Sequence, residues 1–231
     1  RVAVASRPRY RAVSRPSSRQ GTQMALTGEG QPVPTAGIVL TGGRSRRMGM
    51  DKATLVVGGV PCAVRVATVL GSVAAPLVEV GPGHTGLLRA PEERPGEGPL
   101  AALVDGARAL AALGYVGGAL VVACDLPAVT TAALSMLTSW PNDRTVVPVV
   151  AGRPQTLCAR WSADALDQAA GLVEGGERSV RSLLARLDPE AVVLLDETRW
   201  PVGVDASAFT DVDTPEDLDR ISSRSEGAAG G

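Results

Sequence analysis

A short apolar run, Gly37-Ile38-Val39-Leu40, breaks at once into Thr41-Gly42-Gly43. A basic loop, Arg44-Ser45-Arg46-Arg47, then carries the chain through Met48-Gly49-Met50 to Asp51-Lys52. The run reads as a buried strand, and the segment after it reads as a phosphate-binding loop. Glycines let the backbone turn tightly and present N–H groups, and the cations supply charge. Lys52 is the only lysine in the chain, against 22 arginines. A compact ammonium on a flexible stem fits a crowded site around phosphorus better than a planar guanidinium does. Taken alone, the glycine pair is equally a plain turn and the arginines a solvated loop. The string matches neither G-x-x-x-x-G-K-[ST] nor G-x-G-x-x-G. The spacing from the glycine pair to Asp51-Lys52 is what makes it informative.

Apolar runs and helix-like stretches alternate along the chain. Strands are expected at Gly37–Leu40, Leu77–Val80, Ala119–Ala123, Thr145–Val149, Gln155–Ala159 and Ala191–Leu195. Helices are expected at Ala63–Leu70, Leu100–Leu113, Thr131–Trp140, Ser162–Leu172 and Ser179–Leu187, with a last one starting at Pro215. The first three strands read as apolar runs covered on both faces, which implies helices above and below a mostly parallel sheet. The expected fold class is therefore α/β, a Rossmann-like three-layer sandwich. Ligands of such sheets bind beyond the carboxyl ends of the strands, where Thr41 and Asp125 both fall. Residues 1–35 are rich in Arg, Ser, Pro, Gly and Thr with no apolar period, and are expected to be disordered. Their arginine- and serine-rich start has the composition of a transit peptide, or of an over-extended start ahead of Met24. Residues 222–231 form a second frayed end, leaving 36–221 as the folded domain.

Composition narrows the function classes. With 231 residues, 45% of them hydrophobic, a sizeable core is available, and 3% aromatics means that core is Val, Leu and Ala. So few aromatics argue against a base-stacking single-strand binder. The net charge is −1, but residues 1–23 hold six arginines and no acid, so the body is acidic and unlike a nucleic-acid-binding domain. Cys62, Cys124 and Cys158 match no zinc spacing and are expected as buried free thiols, which suits the cytoplasm. No apolar run reaches the roughly 18 residues of a membrane span. The single histidine, His84, sits in a glycine-rich loop and is expected to be exposed and non-catalytic.

Two carboxylate sites follow. Asp125 closes the run Ala119–Ala123 and is stopped by Pro127. An acid there needs a cation or hydrogen bonds to offset its desolvation, so it reads as a Mg²⁺ ligand or as a helix cap. Asp211-Val212-Asp213-Thr214-Pro215-Glu216-Asp217 is acidic too, with Thr214 and Pro215 forming a good helix start.

The string Leu40-Thr41-Gly42-Gly43-Arg44-Ser45-Arg46-Arg47-Met48-Gly49-Met50-Asp51-Lys52 resembles the signature loop L-x-G-G-x-S-x-R-M-G-x-D-K of nucleotidyltransferases, most closely that of the molybdenum cofactor guanylyltransferase family. Thr41 stands where that family usually carries Ala. The resemblance spans residues 36–221 and implies the nucleotidyltransferase version of the fold. It implies nucleotide contacts at Leu40, Thr41, Gly42, Gly43, Lys52, Gly98, Pro99, Leu100 and Asp125, and catalytic roles for Lys52, Arg47 and Asp125. Glu97-Gly98-Pro99-Leu100-Ala101-Ala102 is similar to the family's G-P-L-A-G element at the nucleotide base, with Ala102 replacing a glycine. Asp125 and Asp213 are the implied metal ligands, for Mg²⁺. The segments at Gly152–Leu157 and Gly175–Arg181 are similar to acceptor-side segments, which implicates Arg153, Gln155, Arg178 and Arg181.

The function so implied is transfer of GMP from GTP to the phosphate of molybdopterin carrying molybdenum, with release of pyrophosphate. A cytidylyltransferase or other nucleotidyltransferase of the same fold is the enzymatic alternative, and a catalytically silent nucleotide-binding protein is the other. Molybdoenzymes or their chaperones are further partners that the resemblance leaves open. Neither nucleic acid nor membrane is expected as a partner.

Overall fold

In the computed structural model, residues 35–42, 52–93, 95–140, 144–212 and 217 are described. The expectations for residues 1–34, for most of the basic loop and for the final helix and tail lie outside these residues. The chain enters at β1 (Ala36–Leu40). It continues through a 3₁₀ turn at Lys52–Thr54 and a small hairpin, β2 (Val56–Val57) and β3 (Val60–Pro61), into α1 (Cys62–Gly71). Next come β4 (Leu77–Val80), β5 (Leu88–Ala90), α2 (Pro99–Ala112), β6 (Ala119–Ala123) and α3 (Thr131–Thr138). The second half holds β7 (Thr145–Val150), β8 (Arg153–Pro154), β9 (Cys158–Trp161), α4 (Ala163–Glu174), α5 (Val180–Leu184) and β10 (Val192–Asp196).

The main sheet runs β10-β7-β9-β6-β1-β4-β5, with β8 added against β7. Strands β5, β4, β1 and β6 are mutually parallel, as are β7 and β10. β9 runs antiparallel to both its neighbours, β6 and β7. Alternate side chains of each strand go to opposite layers. Ile38, Val78, Val80 and Val121 pack with Leu100 and Leu103 of α2, Ala165 of α4 and Leu183 of α5. Val39, Leu120 and Val122 pack with Val66 and Leu70 of α1 and with Leu134 and Leu137 of α3. This is the expected mostly parallel three-layer sandwich. Each leucine so buried contributes on the order of 2 kcal/mol, which is how a core nearly without aromatics holds.

Helix starts follow the local chemistry. Thr130, Ser162 and Ser179 each accept a bond from a first-turn N–H of α3, α4 and α5, and Pro99 opens α2. Two segments differ from expectation. The strand expected at Gln155–Ala159 lies at Cys158–Trp161. The reason is Arg160, which is only 1% exposed although charged. Its guanidinium donates to the carbonyls of Trp140 at 2.6 Å and Arg144 at 3.0 Å, just beyond the end of α3. Residues 155–157 form a turn instead, closed by Cys158 N–H on the Gln155 carbonyl. The helix expected to reach Leu187 stops at Leu184, where the Arg186 N–H turns back to Leu183.

Candidate active site

Because β1, β4 and β6 are parallel, their carboxyl ends emerge side by side. Thr41 and Gly42 follow β1, and both their N–H groups donate to the Val80 carbonyl at the end of β4, at 2.9 and 3.2 Å. On the other side, the Cys124 N–H donates to the Leu40 carbonyl at 3.0 Å and delivers Asp125 beside the turn. The approach is close enough to require glycine at position 81. Its φ is +142°, and a Cβ there would lie 2.4 Å from Thr41 Oγ1. Gly43–Asp51, with Arg47, lies outside the described residues.

The chain returns at Lys52. Ala53, fully buried, packs with Ala63 of α1 and Cys124, which seats the 3₁₀ turn against the end of β6. Lys52 Nζ lies 3.4 Å from Asp125 Oδ2, with the two side chains 19% and 28% exposed. Residues 73 positions apart thus form one cation–carboxylate pair facing solvent. The Asp125 carbonyl accepts the Val212 N–H at 2.9 Å. Val212 is fully buried against Leu55, Val57 and Cys62, so the segment carrying Asp211 is pinned beside Asp125. The next turn is held by Arg65 of α1, whose Nε donates to the Pro127 carbonyl at 2.7 Å.

On the far side of Asp125 opens a cleft of about 510 Å³. Gly98, Pro99, Asp125, Gln155, Arg178, Arg181 and Asp211 line it. Of the residues the sequence singles out, Gly98, Pro99, Asp125, Gln155, Arg178 and Arg181 therefore meet around one space. Gly98 makes this possible, with φ at +99° and a close approach to the Arg178 backbone, whose carbonyl accepts the Leu100 N–H at 3.3 Å. Leu100 itself is fully buried and meets this region through its backbone alone. Arg178 is tied to Glu97 at 3.2 Å and to the carbonyl of Glu177 at 3.1 Å. Arg181 is exposed on α5 with no ion pair among the described residues. Arg153 is exposed on β8 and does not line the cleft, whereas the neighbouring Pro154 does.

Three acids to which the sequence assigns no role take up places here: Glu79, Glu92 and Asp211. Glu79, in a strand read as apolar, is fully buried. Burial pushes its carboxyl pKa up, but hydrogen bonds from Thr41, Thr85 and His84 outweigh this and hold it at about 2. Glu92 packs so closely on Gly42 that a Cβ there would lie 1.9 Å from its Oε1. Its neighbour Glu93 turns instead to Arg108 at 2.8 Å. Asp211 lines the cleft where Asp213 was the expected ligand, and Asp213 lies outside the described residues. The bond from the Val212 N–H to the Asp125 carbonyl holds Asp211 beside the cleft, and no signal in the sequence announces it. His84, expected to be exposed, is half-buried because its loop folds over Glu79.

The three cysteines are free and buried, as expected. Burial, and secondarily the Asp125 carboxylate, pushes the Cys62 thiol to about 11, and burial pushes Cys158 to about 12. Both stay protonated at neutral pH and are poor nucleophiles. No group of three or more metal-ligating side chains occurs among the described residues. Asp125 and Asp211 nonetheless offer hard oxygen donors at one cleft. That suits Mg²⁺, which takes one or two carboxylates and completes its shell with water and substrate phosphates. No helix among the described residues is long and apolar enough to cross a membrane.

Comparison with known proteins agrees with the fold. Residues 37–191 match the family described as MobA-like NTP transferase domain. A probable molybdenum cofactor guanylyltransferase of Mycobacterium tuberculosis strain H37Rv is 39% identical over 175 residues, which cover 71% of this chain and 86% of that protein. The crystal structure of molybdopterin-guanine dinucleotide biosynthesis protein A from Archaeoglobus fulgidus superposes with a TM-score of 0.68 at 23% identity, covering 84% of this chain and all of that one. A 2-C-methyl-D-erythritol 4-phosphate cytidylyltransferase from Thermus thermophilus shares the fold, with a TM-score of 0.60 at 17% identity, covering 83% of this chain and 99% of that one. The chain belongs to the MobA-like NTP transferase family and is a nucleotidyltransferase.

Proposed function

We propose that this chain transfers GMP from GTP to the terminal phosphate of molybdopterin carrying molybdenum, and releases pyrophosphate. The observation that carries the reading is the Lys52–Asp125 pair, set between the Thr41-Gly42 turn and the arginine-bearing cleft. An acceptor phosphate oxygen attacks the α-phosphorus of GTP. The bond from that phosphorus to the bridging oxygen breaks, and pyrophosphate leaves with the electron pair. The attacking oxygen is already ionised at neutral pH, so no protein base is needed. That agrees with a lone histidine held in a loop and with cysteines held protonated. What remains for the chain is positioning and charge stabilisation.

In this reading Lys52 and Arg47 stabilise charge on the transferred phosphate and leaving group. The turn at Leu40–Gly43 approaches the triphosphate, and Gly98 and Pro99 meet the base through the backbone. Glu92 is the acid on the donor side. Arg181 is the cation best placed for the acceptor, with Gln155 beside it. Arg178 keeps the wall in place through Glu97 and α4, and Arg153 lies outside the cleft. Asp125, with Asp211 or Asp213, would hold Mg²⁺, which supplies Lewis-acid polarisation of the phosphate oxygens when bound. Buried reduced thiols suit a cytoplasmic enzyme. Pyrophosphate release with GTP, CTP and ATP, using one molybdenum-loaded acceptor, tests the reading. GTP is expected to give the highest kcat/KM. A CTP value equal to or above it supports the cytidylyl reading, and GTP binding without turnover supports a silent nucleotide binder.

A further inference from the structure

A carboxylate in the middle of a sheet is expensive to bury unless its oxygens are satisfied. Glu79 sits on β4 between Val39 of β1 and Arg89 of β5, at 0% exposure. Its oxygens take five hydrogen bonds from neutral donors. Oε1 accepts from Thr41 Oγ1 at 2.5 Å, Gly83 N at 2.9 Å and His84 N at 2.7 Å. Oε2 accepts from Thr85 N at 2.8 Å and Thr85 Oγ1 at 2.5 Å. The register-paired Arg89 turns away, and its Nε donates to the Gly81 carbonyl at 2.9 Å. An apolar residue would fill this core position at no desolvation cost. What the acid adds is a tie between two loops that share no strand.

One of those loops begins at Thr41, where the sequence departs from the alanine of the motif it resembles. Alanine there could not donate to Glu79. Thr41 is also the residue from which the phosphate loop leaves the sheet, and Lys52 marks its return. The return is fixed by Ala53 in its buried seat and by Asp125. The departure is fixed by Glu79 through the Thr41 hydroxyl, and by the Val80 carbonyl through the Thr41 and Gly42 N–H groups.

We propose that Glu79 is a positioning residue for the nucleotide, acting through Thr41 to hold the Thr41-Gly42 turn at which the phosphate loop begins. The inference rests on the reading of that loop as the donor site. It places Glu79 behind the site and out of contact with substrate. A purely structural acid would lower stability and the active fraction, leaving the affinity of folded molecules unchanged. A positioning acid changes nucleotide affinity and leaves the acceptor side alone.

The test compares wild type with Thr41→Val, Thr41→Ser and Glu79→Gln. GTP Kd is measured by equilibrium binding without acceptor, and acceptor KM at saturating GTP. Thr41→Val keeps shape and loses the donor, so Kd for GTP should rise by about tenfold, the equivalent of one buried hydrogen bond. Thr41→Ser keeps the hydroxyl and should stay within about twofold of wild type on the same reasoning. Acceptor KM should not move in any variant. Adding Glu79→Gln to Thr41→Val should weaken GTP little further, because both act through one contact. If Glu79→Gln does not fold, the two Thr41 variants decide. A Thr41→Val protein with wild-type GTP affinity, or one in which acceptor KM shifts equally, overturns the proposal. A wild type that binds another nucleoside triphosphate instead of GTP refutes the guanylyl reading only, and the comparison is then made with that nucleotide. A wild type that binds no nucleoside triphosphate overturns both.

Discussion

Replacing Gly98 by alanine tests whether the cleft depends on one backbone contact. Gly98 has φ +99° and ψ 173°, a conformation that residues with a Cβ adopt only under strain of about 1–3 kcal/mol. The new Cβ would stand 3.1 Å from the Arg178 carbonyl oxygen and 3.4 Å from Arg178 Cβ. Backbone cannot swing aside as a side-chain tip does. Relief therefore moves the segment 177–181 away and costs the bond from Leu100 N–H to the Arg178 carbonyl, worth about 1 kcal/mol. The expected total is about 2–4 kcal/mol, or a fall in Tm of roughly 5–12 °C for a domain of this size. The same shift carries Arg178 and Arg181 with it, so acceptor KM should rise. Gly96→Ala is the control, because Gly96 also has positive φ, +84°, but nothing lies within 4 Å of its Cβ position. Thermal melts and steady-state kinetics on both variants provide the assay. If Gly98→Ala melts no lower than Gly96→Ala and leaves KM unchanged, the close approach to Arg178 does not shape the cleft.

Lys52→Ala should lower kcat by about a hundredfold, the usual effect of removing one charge-stabilising donor, and Lys52→Arg should restore little because a planar fork does not replace a compact ammonium. Steady-state kinetics on both folded variants decide. Asp125→Asn should remove Mg²⁺-dependent turnover with little change in Tm, since the bond from Val212 N–H uses the backbone carbonyl; an Mg²⁺ titration with the wild-type midpoint would rule out Asp125 as a ligand. Acid should destabilise the protein through Glu79. Its carboxyl is held at about 2 against an ordinary 4.5, so the stabilisation is full above pH 4.5 and is lost as pH falls towards 2. The span corresponds to about 3 kcal/mol. Urea midpoints from pH 6 to pH 2.5 should fall more steeply for wild type than for Glu79→Gln, and parallel slopes would show that Glu79 is not the group that titrates.

Strand positions were legible wherever burial is symmetrical. Ala119–Ala123 and Leu77–Val80 are found where their side chains predict, and the caps Thr130, Ser162 and Ser179 announce three helix starts. The pairing of Lys52 with Asp125 was legible in outline, because parallel strands bring their carboxyl ends together. Three features were not. A buried arginine disguised β9, since no local pattern shows that carbonyls 16 to 20 residues earlier will satisfy it. Glu79 was lost inside an apolar run because its nearest side-chain partner outside its own loop, Thr41, is 38 residues away. The place of Asp211 is set by the bond from its buried neighbour Val212 to Asp125, far earlier in the chain. In each case the deciding contact is distant in sequence, and periodicity carries no record of it.

The reversal of β9 has an evolutionary reading. On one side of the sheet, β5, β4, β1 and β6 are locked in parallel register, so any change in strand length there displaces the Thr41-Gly42 turn and Asp125 together. On the other side, the excursion from β7 through β8 into β9 is made of short antiparallel pairings joined by turns. A turn such as 155–157 can lengthen, shorten or change residues without shifting the register of its neighbours. That turn is one wall of the cleft beside Asp125. Under the proposed function the fold thus separates a fixed half, at the triphosphate, from an editable half, at the acceptor. On that reading, new acceptors can be explored by turn insertions and by substitutions at Gln155 and Arg181 while the donor chemistry stays intact.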